Sequence, residues 1–422
     1  MYSIPAIFGL VGVTILIGFL GTRLFKRTGI PELVPVLVLG LLIGPVLGLV
    51  EAEPLIDLAP AFGAIALVII LFNAGLNLDL YRVLKQIPRA TLLAVMGFVL
   101  SVLVTAGVAN LFLELSIYRS LLLGCILGGS SSIIVLPIVQ ALKVDKKIQT
   151  ILSLESTLTD IFVVVMALIV IEFIIGGTMD ITSTFQIIAS RFSVGIILGL
   201  VIGLLWLSVF PAIRRDPYRY TATLFVAFLV YAVSEFLGGS GPLSTLIFGI
   251  ILGNGPSISE MLKLKREIVI GSDVLIFHSE FSFLVRSFFF VYIGIISSIR
   301  DPFLIIFGVI ISVLLLNVRL VASYVSSLRS GLKKYRLLTA AMLPRGLATA
   351  ALCTLPVGLG IAGTESFPDI GFVVILTTTM ISVAGTVFLK RSRNVLGWRS
   401  SEYLEEDSAD DLIGEDENHD RL

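Results

Sequence analysis

One apolar stretch carries the run Leu154-Glu155-Ser156-Thr157-Leu158-Thr159-Asp160, with two carboxylates and three hydroxyls. On a helix, Ser156 and Asp160 stand four residues apart and share a face, while Glu155 and Thr159 share a neighbouring one. The two acids are five residues apart and point in different directions, which predicts different jobs for them. A second stretch reads Gly128-Gly129-Ser130-Ser131-Ser132, with Pro137 beyond. Two glycines and a proline weaken a helix there. The serines and the freed carbonyls are oxygen donors of the kind that hold a small cation in a broken helix. A third stretch carries Pro344, Arg345, Gly346, Thr349, Thr354 and Pro356 and offers the same combination. The chemistry these residues suit is reversible binding of a cation or a proton, not bond breaking. His278 and His419 stand far from the acids, and Cys125 and Cys353 lie in apolar runs. They form no metal cluster, nucleophile–base pair or disulfide framework. No glycine-rich phosphate loop is present. Neither enzymatic activity, a cofactor, ATP-driven pumping nor nucleic-acid binding is expected.

These acids must be held inside a membrane. The chain has 422 residues, of which 56% are hydrophobic and 14% charged, and its mean hydropathy is +1.03. A soluble domain needs about a quarter of its residues charged. A transmembrane β-barrel alternates polar and apolar residues and averages less apolar. The remaining class is an all-α polytopic membrane protein, whose backbone groups are satisfied within helices. Zero net charge hides an uneven split. Ten of the 30 acids fall in residues 402–420, leaving 20 acids against 29 bases in residues 1–401. Residues 1–398 are read as the membrane domain and 399–422 as an acidic cytoplasmic tail, solvated and disordered. The first apolar run has no basic residue before it and no small-residue cleavage site, so it is read as a retained helix.

About 20 apolar residues cross the hydrocarbon core. Thirteen spans are expected, at 5–22, 32–50, 57–75, 90–113, 118–141, 148–175, 187–211, 220–238, 241–254, 275–298, 302–328, 336–361 and 369–389. Basic residues follow every odd-numbered span, from Arg23, Lys26 and Arg27 after the first to Lys390, Arg391 and Arg393 after the last. The alternate connections carry Glu51, Glu53, Asp180, Glu365 and Asp369. Retained positive charge marks the cytoplasm, so the N-terminus is expected outside and the C-terminus inside.

The second span reads Gly40-Leu41-Leu42-Ile43-Gly44-Pro45 and the ninth Gly249-Ile250-Ile251-Leu252-Gly253. The end of the third, Asn73-Ala74-Gly75-Leu76, echoes Tyr292-Ile293-Gly294-Ile295 in the tenth. Both matches lie seven spans apart, and an odd offset reverses orientation in the membrane. Spans 1–6 and 8–13 are therefore read as inverted repeats joined by span 7. Broken spans 5 and 12 are expected to cross near the midplane, as in secondary transporters.

Ionisable groups at that depth are functional candidates. At about 1.5 Å per residue, Glu155 lies roughly 12 Å and Asp160 roughly 20 Å from the cytoplasmic end of span 6. Arg319 in span 11 lies roughly 13 Å deep by the same measure, so it is favoured as the partner of Glu155. Arg286 in span 10 is the rival. Glu172 and Glu235, near outer helix ends, are expected to reach water.

In order and spacing these segments resemble the monovalent cation/proton antiporters, especially the NhaP-type sodium/proton exchangers. The family pattern Glu-Ser-x-x-Asn-Asp matches residues 155–160, with Thr159 in place of asparagine. Residues 129–137 resemble the broken helix 5, with Ser130-Ser131 where Thr-Asp is usual. Asn317-Val318-Arg319, Pro344-Arg345-Gly346 and the run from Phe288 to Gly294 resemble helices 11, 12 and 10. The likeness covers about residues 5–390. It implies a homodimer in a prokaryotic plasma membrane, with helices 4–6 and 11–13 as an ion-binding core. Helices 1–3 and 7–10 would then serve as the dimerisation scaffold. It also implies that Asp160 binds cation and proton in turn and that Glu155 pairs with Arg319.

On this reading Asp160, costly when bare and dehydrated, is held neutral by a proton or by Na⁺, K⁺ or Li⁺. Ser130, Ser131, Ser156 and Thr159 would complete the ion's shell, with Arg345, Gly346 and Thr349 at the helix-12 crossing. One titrating acid at the centre predicts electroneutral exchange. Na⁺ is the first expectation, and a potassium-efflux type of K⁺/H⁺ exchange is the alternative. A cation channel, an intramembrane hydrolase and a sodium-coupled organic-anion symporter are the rivals from other classes.

Overall fold

The computed structural model describes residues 4–28, 30–50, 55, 58–78, 88–142, 144–176, 181–213, 216, 218–261, 272–297, 301–328 and 331–391. The acidic tail lies outside the described residues. Helix covers every expected stretch, and no strand occurs among the described residues. The helices are α1 (Ile4–Thr28), α2 (Leu33–Leu41), α3 (Ala59–Asn77) and α4 (Pro88–Phe112). Next come α5a (Ile117–Leu127), α5b (Ser132–Ala141), α6 (Lys146–Gly176), α7 (Ile181–Val209), α8 (Arg219–Phe236) and α9 (Gly241–Gly253). After a short helix over Gly255–Met261 come α10 (Ser272–Ile296), α11 (Pro302–Ser326), a 3-10 turn over Gly331–Tyr335, α12a (Arg336–Ala341), α12b (Leu347–Gly358) and α13 (Phe367–Arg391). Among the described residues eight spans are long and apolar enough to cross a membrane, the two halves of α5 counting together; α2, α3, α9 and α12b belong to shorter apolar runs. Length and composition thus carry eight crossings, and the alternating charge of the connections argues for the others.

Local chemistry sets the helix ends. Asp301 caps α11 by accepting from Phe303 N at 2.9 Å, and Pro302 occupies the first turn where no donor is needed. Pro45 lacks an N–H, and α2 gives way to a π turn over Leu42–Val46 around it. Helix 5 parts at residues 128–131 and helix 12 at residues 342–346, at the glycines and serines of the first and at Pro344 and Gly346 of the second.

Packing displays the internal repeat. The α2–α10 contact has Gly40 against Gly294, and the α3–α9 contact has Gly75 against Gly249. A Cβ on Gly40 would stand 2.2 Å from Val291 O, and one on Gly249 would stand 2.5 Å from Phe72 O. Conversely, Gly294 faces Leu37 O at 2.6 Å and Gly75 faces Leu246 O at 2.5 Å. Exchanging α2 with α9 and α3 with α10 maps each contact onto the other, as an inverted repeat requires. Only small residues let helix backbones approach this closely in a membrane.

Around these crossings α7 and α8 pack on α9, while α4 packs on α5a, α6 and α11, and α13 on α11 and α12b. The largest buried side chains, among them Phe72, Phe248, Phe289 and Phe290, fill the space between. Leu at position 40 or 249 must push two backbones apart. We expect Gly40→Leu and Gly249→Leu each to lose about 1–3 kcal/mol, the range for overpacked cores. The check is a fall of several degrees in detergent melting temperature. Gly107→Leu, where a side chain meets nothing within 4 Å, should melt like the parent.

Candidate functional site

The two breaks meet. Ser131 N donates to Pro344 O at 2.8 Å, and a Cβ on Gly346 would lie 2.2 Å from Ser131 Oγ. The two extended segments therefore touch backbone to backbone. Each is tied to the next helix of its own repeat. Ser130 N donates to Thr159 Oγ1 on α6 at 3.1 Å, and Arg345 N donates to Thr378 Oγ1 on α13 at 3.1 Å. Freed carbonyls also find donors: Thr349 Oγ1 bonds Ile126 O at 3.0 Å, Arg345 Nη1 bonds Leu343 O at 3.0 Å and Arg319 Nε bonds Thr339 O at 3.2 Å. Cationic side chains thus sit against the C-terminal carbonyls of a half-helix, where its dipole favours positive charge.

Beside the crossing, Arg319 forks onto Glu155, with Nη1 to Oε1 at 2.6 Å and Nη2 to Oε2 at 2.7 Å. Glu155 is 0% and Arg319 5% exposed. Ser130 Oγ adds hydrogen bonds to both carboxylate oxygens at 3.1 and 3.3 Å. Gly97 on α4 leaves room for the guanidinium, whose Nη1 would sit 3.4 Å from a Cβ there. Glu155 is fully occupied and sealed.

Asp160 stands differently. Its Oδ2 accepts from Ser132 N at 3.1 Å and Ser132 Oγ at 2.6 Å, the first residue of α5b. A carboxylate at a helix N-terminus meets free N–H groups and the positive end of the dipole. Among the described residues no hydrogen bond reaches Oδ1, and the side chain opens onto a cavity of about 600 Å³. The cavity is walled by the last turns of α1 and α3, the first turns of α5b and the N-terminal parts of α2, α6 and α10, with Leu347 of α12b. The α1 and α3 ends, and the beginnings of α2, α6 and α10, adjoin the basic connections.

Several expected ligands serve elsewhere. Ser130 and Thr159 hold Glu155 and the break, and Ser131 holds the crossing. Ser156 Oγ donates to Ser153 O of its own helix at 3.0 Å. None of these four lines the cavity, whereas Ser132, Ser153 and Thr157 line it with Asp160. Ser132 is the direct partner that sequence reasoning passed over, although it stands in the same serine run. Arg345 is 3% exposed and lies with Gly346 and Thr349 where helix 12 breaks. Arg286, the rival for Glu155, pairs instead with Glu32. Glu172 and Glu235 do not simply reach water: both pair with Arg191, and Glu235 also accepts from Gly241 N at 2.8 Å. Arg191 stands between them on α7, which starts at Ile181, earlier than hydropathy indicated.

Crossed half-helices with one locked carboxylate and one open to a cavity define a secondary transporter of the inverted-repeat kind. The chain belongs to the sodium/hydrogen exchanger family, whose transmembrane profile matches residues 12–391. It is 27% identical over 390 residues to the low-affinity Na⁺/H⁺ antiporter NhaS1 of Synechocystis, spanning 89% of this chain and 72% of that protein. It is 25% identical over 405 residues to the K⁺/H⁺ antiporter NhaP2 of Shewanella baltica, spanning 93% of this chain and 68% of the relative. In fold it is similar to the sodium proton antiporter MjNhaP1 of Methanocaldococcus jannaschii, with a TM-score of 0.73 at 20% identity over 92% of this chain and 97% of that one.

Removing one member of a buried ion pair leaves the other charge uncompensated, at about 3–5 kcal/mol. Arg319→Gln should therefore cut the yield of folded protein sharply. Arg319→Gln combined with Glu155→Gln, which removes both charges, should recover much of it. Size-exclusion profiles and melting temperatures in detergent check both outcomes.

Proposed function

We propose that the chain is a secondary antiporter that exchanges a monovalent cation for a proton at Asp160. One observation carries the proposal: Asp160 is the carboxylate that the crossing leaves facing the cavity, while Arg319 occupies Glu155. A bare charge there is costly away from water, so the carboxyl is expected to hold a proton or a cation before the site crosses. Ser132 orients Oδ2, leaving Oδ1 toward the incoming ion. Ser153 and Thr157 offer further oxygens from the same wall. Ser130, Ser131, Ser156 and Thr159 keep the crossing in shape around it, and Arg345, Gly346 and Thr349 do so from helix 12.

Two kinds of relative support a monovalent cation without choosing it, since one is named for Na⁺ and another for K⁺. Na⁺ remains the first reading and K⁺ the second. Thirteen crossings, an outer N-terminus and a cytoplasmic C-terminus follow from the loop charges. On that orientation the cavity faces the cytoplasm. We further infer a homodimer in a plasma membrane, built on helices 1–3 and 7–10. Helices 4–6 and 11–13 would carry Asp160 from one side to the other, the common mode in inverted-repeat carriers.

The test is dequenching of a pH dye in proteoliposomes, scanned over Na⁺, K⁺ and Li⁺. The parent should exchange at least one of them, and Asp160→Asn should abolish the signal while the protein remains folded. Clamping the membrane potential at different values should leave the rate unchanged, because one positive charge moves each way. Undiminished exchange by the Asp160→Asn protein overturns the assignment of the site.

A further inference from the structure

The cavity that Asp160 faces is lined by a second carboxylate. Glu32, at the start of α2, is ion-paired with Arg286 of α10, and both line the cavity. Their side chains keep 19% and 16% of their surface exposed. Asn73, Ser282 and Thr22 stand on the same wall. The backbone of Glu32 is pinned by α1, since a Cβ on Gly21 would lie 3.1 Å from Glu32 Cα. The carboxylate is therefore fixed at its root and open at its tip.

This pair differs in kind from Glu155–Arg319. That one is forked and sealed; this one joins a single guanidinium nitrogen to one carboxylate oxygen, Nη2 to Oε1, in part-exposed surroundings. Joined at one contact and still reached by water, this pair costs less to separate than the forked, sealed one. A freely diffusing cation can compete for the carboxylate. A bare guanidinium in the same confined space would instead repel cations bound for Asp160.

We propose that Glu32 is a second cation seat in the cavity and that Arg286 is its tethered occupant, displaced as an alkali ion enters. This inference rests on the exchanger reading above for its role in transport, but the seat itself can be read by binding. In exchange assays Arg286→Gln should lower the apparent KM for the transported cation roughly threefold to fivefold, and Glu32→Gln should raise it by a similar factor. The double variant should return toward the parent value. A scaffold role alone would move both single variants in the same direction, and that result overturns the proposal.

Binding gives the second measurement. A ligand that binds the folded state raises its melting temperature. In the Asp160→Asn background, adding Arg286→Gln should increase stabilisation by Na⁺ or K⁺ in detergent, and further adding Glu32→Gln should remove the gain. No gain on freeing Glu32 overturns the seat. A parent protein that fails to exchange any cation would sink the exchanger reading, while the melting series would still decide the seat.

Discussion

The molecule is governed by one constraint: a backbone that stops being helical inside a membrane must find every hydrogen bond from fixed neighbours. Two such breaks face each other here. Their N–H groups go to Thr159, Thr378 and Pro344, and their carbonyls to Thr349, Arg319 and Arg345. Each partner is a hydroxyl, a guanidinium or another peptide group placed by a packed helix. Orienting the site and satisfying the breaks are the same task. This explains why so many hydroxyls cluster near Asp160 without touching it.

The repeat shares its backbone plan between halves but divides its chemistry. Ser130 and Arg345 occupy equivalent places, each bonding through its N–H to a threonine of the next helix. The threonines, Thr159 and Thr378, are followed by Asp160 in one half and Thr379 in the other. The first half thus carries both acids, and the second carries two arginines, Arg319 on Glu155 and Arg345 on the Leu343 carbonyl. A half-helix N-terminus attracts negative charge and a C-terminus positive charge. Asp160 at the head of α5b and the arginines at the end of α12a obey that rule from opposite sides of one crossing.

Much of this was legible in the sequence because membranes simplify the physics. Apolar length located the helices, loop charge gave their alternation, and matched glycines pointed to the repeat. Depth favoured Arg319 over Arg286 for Glu155, since a sealed charge at one level needs its opposite at the same level, and the family resemblance pointed the same way. Where the reading failed, it failed at a break. Helical periodicity ranks side chains by angle, but at residues 128–131 the chain leaves the helix and the angle no longer propagates. Ser130 therefore turned toward Glu155 and Ser132 toward Asp160. Arg191 was missed for another reason: apolar counting passes over a single charge near a helix end, yet there it pairs with both Glu172 and Glu235.

Sealing and exposure finally separate the three carboxylates that approach the site. Glu155 has a bidentate arginine, two serine contacts and no exposed surface, so nothing in the cavity can reach it. Asp160 has one oxygen held by a helix terminus and faces the cavity, so its charge can be met by whatever enters. Glu32 lies between these limits, held by an arginine but not enclosed with it. A forked, sealed pair costs more to separate than a single, partly exposed one, because desolvation sets that cost. Burial, more than the identity of the residues, sets which charges serve the architecture and which are free to serve the ion.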